Sequence, residues 1–119
     1  TRAVLEGVAF SLRDSLEIFK DLGTSVEKIR LGGGGARSRL WCQIQADVYG
    51  QQVETLNADE GAAFGAAILA GVGIGMWPTV DDACEKTISV KDTFEPEARN
   101  VEIMNEQFAR YRELYPMLR

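Results

Sequence analysis

Leu31-Gly32-Gly33-Gly34-Gly35-Ala36-Arg37-Ser38 is the stretch on which the fold turns. Glycine loses more conformational freedom on folding than any other residue, so four in a row are costly to order. Ahead of the run, Val26, Ile29 and Leu31 suit a short buried strand over Glu27–Leu31. Behind it, Ser38 to Tyr49 is amphipathic and reads as a helix, with Gly50 as its stop. Strand, glycine turn and helix are how an α/β protein brings bare backbone and a helix start against a phosphate or nucleotide. Four glycines exceed what a tight turn needs, and nucleotide binding is the first reading.

Outward from this stretch the chain alternates between helix and strand. Val4, Leu5, Val8, Leu12, Leu16 and Phe19 recur at spacings of three and four, which predicts a helix from Arg2 to Leu22 closed by Gly23. Gln52 to Leu56 reads as a second strand. Asn57-Ala58-Asp59-Glu60 supplies a cap and first-turn acids for a third helix through Ala70. Thr79-Val80-Asp81-Asp82 opens a helix through Lys86, Ile88 to Val90 reads as a short strand, and Phe94-Glu95-Pro96 as a turn. Asn100 to Leu114 is a final amphipathic helix. The order helix–strand–helix–strand–helix demands parallel strands with helical crossovers, hence an α/β fold. Two strands alone make a poor parallel core, since such sheets need cover on both faces, so strands are expected to be missing and the chain to be part of something larger.

Bulk properties narrow the function. With 119 residues there is at most one modest domain, and a formal charge of −5 with no basic stripe argues against nucleic-acid binding. There is no histidine to act as a base or metal ligand. Cys42 and Cys84 fit neither a disulfide framework nor a zinc pattern, and read as free thiols of a cytoplasmic protein. The longest apolar stretch, Ala62 to Met76, is too short to span a bilayer comfortably, so no membrane partner is expected.

Several residues carry two readings. Gly33-x-Gly35-x-x-Ser38 approximates a dinucleotide fingerprint, and Glu54 lies about 20 residues on, where a ribose-binding acid would sit. Serine replaces the third glycine, however, and a long helix precedes the strand, so the residues leave the two nucleotide modes open. Arg37 is placed to neutralise a phosphate or to stand as a solvated charge. Ser38 is placed to bond a ligand or to cap the next helix. Trp41 suits stacking on a base or packing, and Asp47 is expected to face water or a strand end. Gly65, inside a helix built from Gly61, Ala62, Ala63, Ala66, Ala67 and Ala70, needs close approach by another element. Glu60 reads as a helix-dipole partner. Asp81, Asp82 and Glu85 read as capping acids rather than a metal site, and Arg110, Arg112 and Arg119 as a solvated helix end.

In combination, these segments resemble the FGGY carbohydrate kinases, and their xylulokinase branch in particular. The residues that carry the likeness are Gly33 to Gly50 (GGGARSRLWCQIQADVYG), Glu60 to Ala70 (EGAAFGAAILA), the opening Arg2 to Phe10 and the closing Tyr111 to Pro116. The resemblance implies a partial ribonuclease-H-like domain of the actin/hexokinase-like ATPase fold. It implies transfer of the γ-phosphoryl group of ATP, with Mg²⁺, to a sugar hydroxyl, D-xylulose becoming D-xylulose 5-phosphate. It makes residues 1–119 the last part of the second domain. That domain's first strands, the amino-terminal domain, the sugar pocket and the catalytic aspartate would then lie upstream, leaving no catalytic or metal-binding residue here. Gly34 and Gly35 would face the nucleotide through bare backbone, Ser38 would sit near adenine or ribose, and the helix from Gly61 would line an interdomain hinge. Alone, such a chain is expected to be inactive and to form homo-oligomers through its uncovered surfaces. The alternatives are a Rossmann-type segment of an oxidoreductase and a noncatalytic interaction domain.

Overall fold

The computed structural model describes residues 1–58 and 61–118, with only the backbone of Tyr115. The expectations for Asp59, Glu60 and Arg119 lie outside the described residues. The first helix, α1 (Arg2–Asp21), ends as its sequence predicts. Gly23 takes φ +82°, its N–H donates to the Lys20 carbonyl and that of Thr24 to the Phe19 carbonyl, the paired bonds of a Schellman cap. Strand β1 (Ile29–Leu31) follows, then a single 3₁₀ turn over Gly34–Arg37, helix α2 (Arg39–Tyr49) and strand β2 (Val53–Leu56). The crossover through α2 makes β1 and β2 parallel, with Ile29 opposite Val53 and Leu31 opposite Thr55.

The second half departs from expectation in one element. Helices α3 (Gly61–Gly73) and α4 (Val80–Thr87) form where predicted, and α5 (Ala98–Met117) runs longer than predicted. The third strand, β3, is Val90–Phe94 rather than Ile88–Val90, and it pairs antiparallel with β2. Phe94 is therefore the buried end of a strand, not part of a turn. Charged and polar residues separate Val90 from Phe94, so the segment lacks the apolar alternation that announces a strand. The sheet order is β1-β2-β3, and β1 stands at an edge. Asn57 uses its side chain to tie the α4–β3 loop: it donates to the Thr87 carbonyl and accepts from Ser89 N–H, both at 3.0 Å.

Helix α2 is the centre of the molecule. Ile44, Ala46 and Val48 are fully buried between the sheet residues Val53 and Phe94 and the flanking helices α1 and α5. Phe10 of α1 meets Phe108 and Tyr111 of α5 at ring separations of 5.9 and 5.6 Å, closing the core on its far side. On the opposite side of the sheet, α3 and α4 pack chiefly on each other. Among the described residues no helix is long and apolar enough to cross a membrane.

Candidate nucleotide site

The glycine run leaves the carboxyl end of β1 next to the carboxyl end of β2, the edge of an α/β sheet where ligands bind. Two clefts flank this edge and share Leu31, Gly32, Leu56 and Ala58 as a common wall. One, of about 120 Å³, is polar and bordered by Arg37, Arg39, Lys91 and Asp92. The other, of about 470 Å³, is apolar and bordered by Phe64, Ile68 and Leu69 of α3 and by Val80 and Cys84 of α4. Its size falls within the range of small-molecule pockets.

The four glycines have different reasons to be glycine. Gly33 takes φ +73°, a conformation that L side chains rarely adopt. A Cβ at Gly35 would lie 3.2 Å from both Cδ1 and Nε1 of Trp41, so this glycine answers to an indole of the same chain. Gly32 and Gly34 have no positive φ, and a Cβ at either would meet nothing within 4 Å. Of the three residues expected at the nucleotide, Gly34 and Gly35 are exposed in the 3₁₀ turn, beside the clefts rather than lining them. Gly32 and Gly33 line the clefts instead. Ser38 is the N-cap of α2, its hydroxyl oxygen accepting from Trp41 N–H at 3.3 Å. The capping reading of Ser38 is thus realised.

The first turn of α2 holds the glycine turn from below. Trp41 packs against the core rather than standing out for stacking. Cys42 is completely buried and its thiol donates to the Ala36 carbonyl at 3.4 Å. Burial pushes the Cys42 thiol above its ordinary range, Asp92 adds to this and Arg39 opposes it, so the sulfur keeps the proton it donates. At the mouth of the polar cleft, Arg39 pairs with Asp92 at 3.4 Å and lies over the Phe94 ring.

Three sequence expectations are overturned. Asp47 does not face water: it is 1% exposed and accepts from Glu97 N–H, Gln43 Nε2 and Asn100 Nδ2 at 2.9–3.0 Å, tying α2 to the start of α5. Among the described residues a Cβ at Gly65 would meet nothing within 4 Å, and the close approach in α3 is at Gly71, where a Cβ would stand 2.8 Å from Cε3 of Trp77. Glu54 faces Arg30 across the strands at 3.5 Å, in the middle of β2 rather than at its carboxyl end. The dinucleotide reading thereby loses its ribose-binding acid, and the antiparallel β3 does not suit a Rossmann sheet. Asp81 and Asp82 fill the first turn of α4 as capping acids, with Asp82 N–H donating to Thr79 Oγ1 at 3.1 Å. Among the described residues no three His, Cys, Asp or Glu side chains converge as a metal site.

Known proteins share this arrangement. A xylulose kinase of Staphylococcus epidermidis is 40% identical over 114 residues, 96% of this chain and 23% of that protein. A glycerol kinase of Pseudomonas savastanoi is 38% identical over 96 residues, 80% of this chain and 19% of that protein. The crystal structure of xylulose kinase from Rhodospirillum rubrum superposes with a TM-score of 0.83 at 31% identity, covering 98% of this chain and 24% of that one. The chain therefore spans about a quarter of the length of these relatives, and its fold is part of the actin/hexokinase-like ATPase fold of sugar kinases. Residues 1–74 match the model of the C-terminal domain of the FGGY family of carbohydrate kinases, and the chain belongs to that family.

Proposed function

We propose that this chain supplies the adenosine-binding side of an ATP-dependent sugar kinase, and that the complete enzyme converts D-xylulose to D-xylulose 5-phosphate in the cytoplasm. Gly34 carries the reading. It stands at the carboxyl edge of a parallel pair, and neither its dihedrals nor any neighbour among the described residues requires glycine. A ligand that approaches the bare backbone supplies a reason for glycine there. The apolar groove that Gly32 borders suits the faces of a purine.

The likeness to xylulose kinases supports a pentulose as acceptor, while the likeness to a glycerol kinase supports placing the residues that choose the acceptor elsewhere. In the proposed enzyme the γ-phosphoryl group leaves ADP for the sugar hydroxyl, whose proton goes to a base outside this chain. Phosphoryl transfer rests on positioning and charge stabilisation, and this segment's share is to fix the nucleotide. Mg²⁺ binds largely through nucleotide phosphates and water, with one or two carboxylates that we place outside residues 1–119.

The test compares ligands and one variant in the complete enzyme. ATP should protect the amides of Gly32 to Ser38 from exchange and NAD should not. Gly34→Val should weaken ATP about tenfold or more, since a side chain would occupy the ligand's space, while sugar affinity stays unchanged. Unchanged ATP affinity in a folded variant would return the glycine run to a purely structural role.

A further inference from the structure

We propose that Trp41 is a positioning residue for the nucleotide site, and that Gly35 is glycine to seat on Trp41 rather than to admit the nucleotide. The inference rests on the nucleotide reading above and changes the role of one residue within it. A ligand-facing glycine and a Trp-facing glycine differ in what a Cβ would meet. At Gly34 it meets open space; at Gly35 it meets the indole edge at 3.2 Å from two ring atoms. That separation is closer than ordinary van der Waals contact, so the turn and the ring fit without slack.

Further bonds fix the same turn from α2. Cys42 donates its thiol proton to the Ala36 carbonyl, and Cys42 N–H donates to the Ser38 carbonyl at 3.0 Å. Trp41 N–H donates to Ser38 Oγ, so residues 36 and 38 are held by the residues that follow them in the helix. The Gly34–Arg37 turn thus rests on a floor of Trp41 and Cys42, both anchored in the core. A turn fixed in this way presents its backbone to a ligand without a further ordering cost on binding. Trp41 would act through that turn and touch no ligand atom.

A double-mutant cycle in the complete enzyme tests the assignment, read as ATP affinity by calorimetry alongside sugar affinity and melting temperature. Gly35→Ala should weaken ATP about fivefold with sugar affinity unchanged. Trp41→Phe, which shortens the ring beneath residue 35, should rescue it: in that background Gly35→Ala should cost less than about twofold. Equal costs of Gly35→Ala in both backgrounds would overturn the proposal and make Gly35 a ligand-facing glycine. An ATP affinity left unchanged by Gly35→Ala would overturn it too. Gly34→Val separates the two levels. If it weakens ATP while the cycle is additive, the nucleotide reading stands and the role of Trp41 falls; if it has no effect, both fall. Should Gly35→Ala melt below the assay temperature, exchange at the Ala36 and Ser38 amides in Trp41→Phe decides. Faster exchange with the rest of α2 protected supports the floor, and unchanged exchange overturns it.

Discussion

Asp47 has the features by which catalytic acids are often picked out, a buried carboxylate on the helix that follows a glycine turn. Its surroundings assign it otherwise. Both oxygens are occupied, by donors from Glu97 just before α5, from Asn100 in its first turn and from Gln43, which itself donates to the Glu95 carbonyl at 2.8 Å. A buried carboxylate satisfied by one backbone and two amide donors works as a staple. Asp47→Ala strands those donors and is expected to cost about 3 kcal/mol of stability, read from denaturant unfolding. ATP affinity per folded molecule should not change. A folded Asp47→Ala protein that had lost ATP binding would show that the carboxylate serves the ligand after all.

At the scale of elements, α3 is the place where substitution tests packing most directly. Gly65 lies in the helix interior, where a Cβ would meet nothing within 4 Å among the described residues, so Gly65→Ala should stabilise the isolated chain by about 0.5–1 kcal/mol through helix propensity. Gly71→Ala should do the opposite, because the new methyl must displace the Trp77 ring. Thermal melts of the pair decide it, and stabilisation by both would mean that Trp77 does not hold its place on α3. The same helix shows how far the sequence can be read. Its existence follows from its Gly/Ala-rich sequence behind Asn57-Ala58-Asp59-Glu60, that of α1, α2, α4 and α5 from periodicity and caps, and the glycine–cap–helix order around Ser38 is legible in residues 31–49. Which glycine of α3 matters is not legible, because Gly65 and Gly71 differ only in where Trp77 lands. Likewise Asp47 has a buried partner set from residues 97 and 100 that no local window contains. The bounds of β3 escape a local reading because its pairing with β2, rather than its own pattern, makes it a strand.

The whole molecule is more open than a domain of its length. Its radius of gyration is 17.2 Å, against about 13.5 Å expected for a chain this long. Its accessible surface is 8161 Å², against about 6,400 Å² expected for its mass. Part of the excess is apolar: Val4, Val8, Leu12, Phe19 and Leu22 lie exposed along one side of α1. Strand β1, at the sheet edge, has backbone groups available for a further strand. The isolated chain should therefore self-associate, and light scattering over a concentration series should show mass rising with concentration. A strict monomer with strong amide protection at Ile29 and Leu31 would show instead that the open surfaces are tolerated. The closure of α5 over α1 also has a meaning in time. Arg13 donates to Asn105 at 2.8 Å across 92 residues of chain. At ribosomal speeds of about 5–20 residues per second, α1 packs on α2 early but waits about 5–20 s for the α5 residues that close over Phe10 and Arg13. For that interval the part of α1 around Phe10 and Arg13 lacks the cover that α5 gives it, so this stretch of the nascent chain waits on residues made much later.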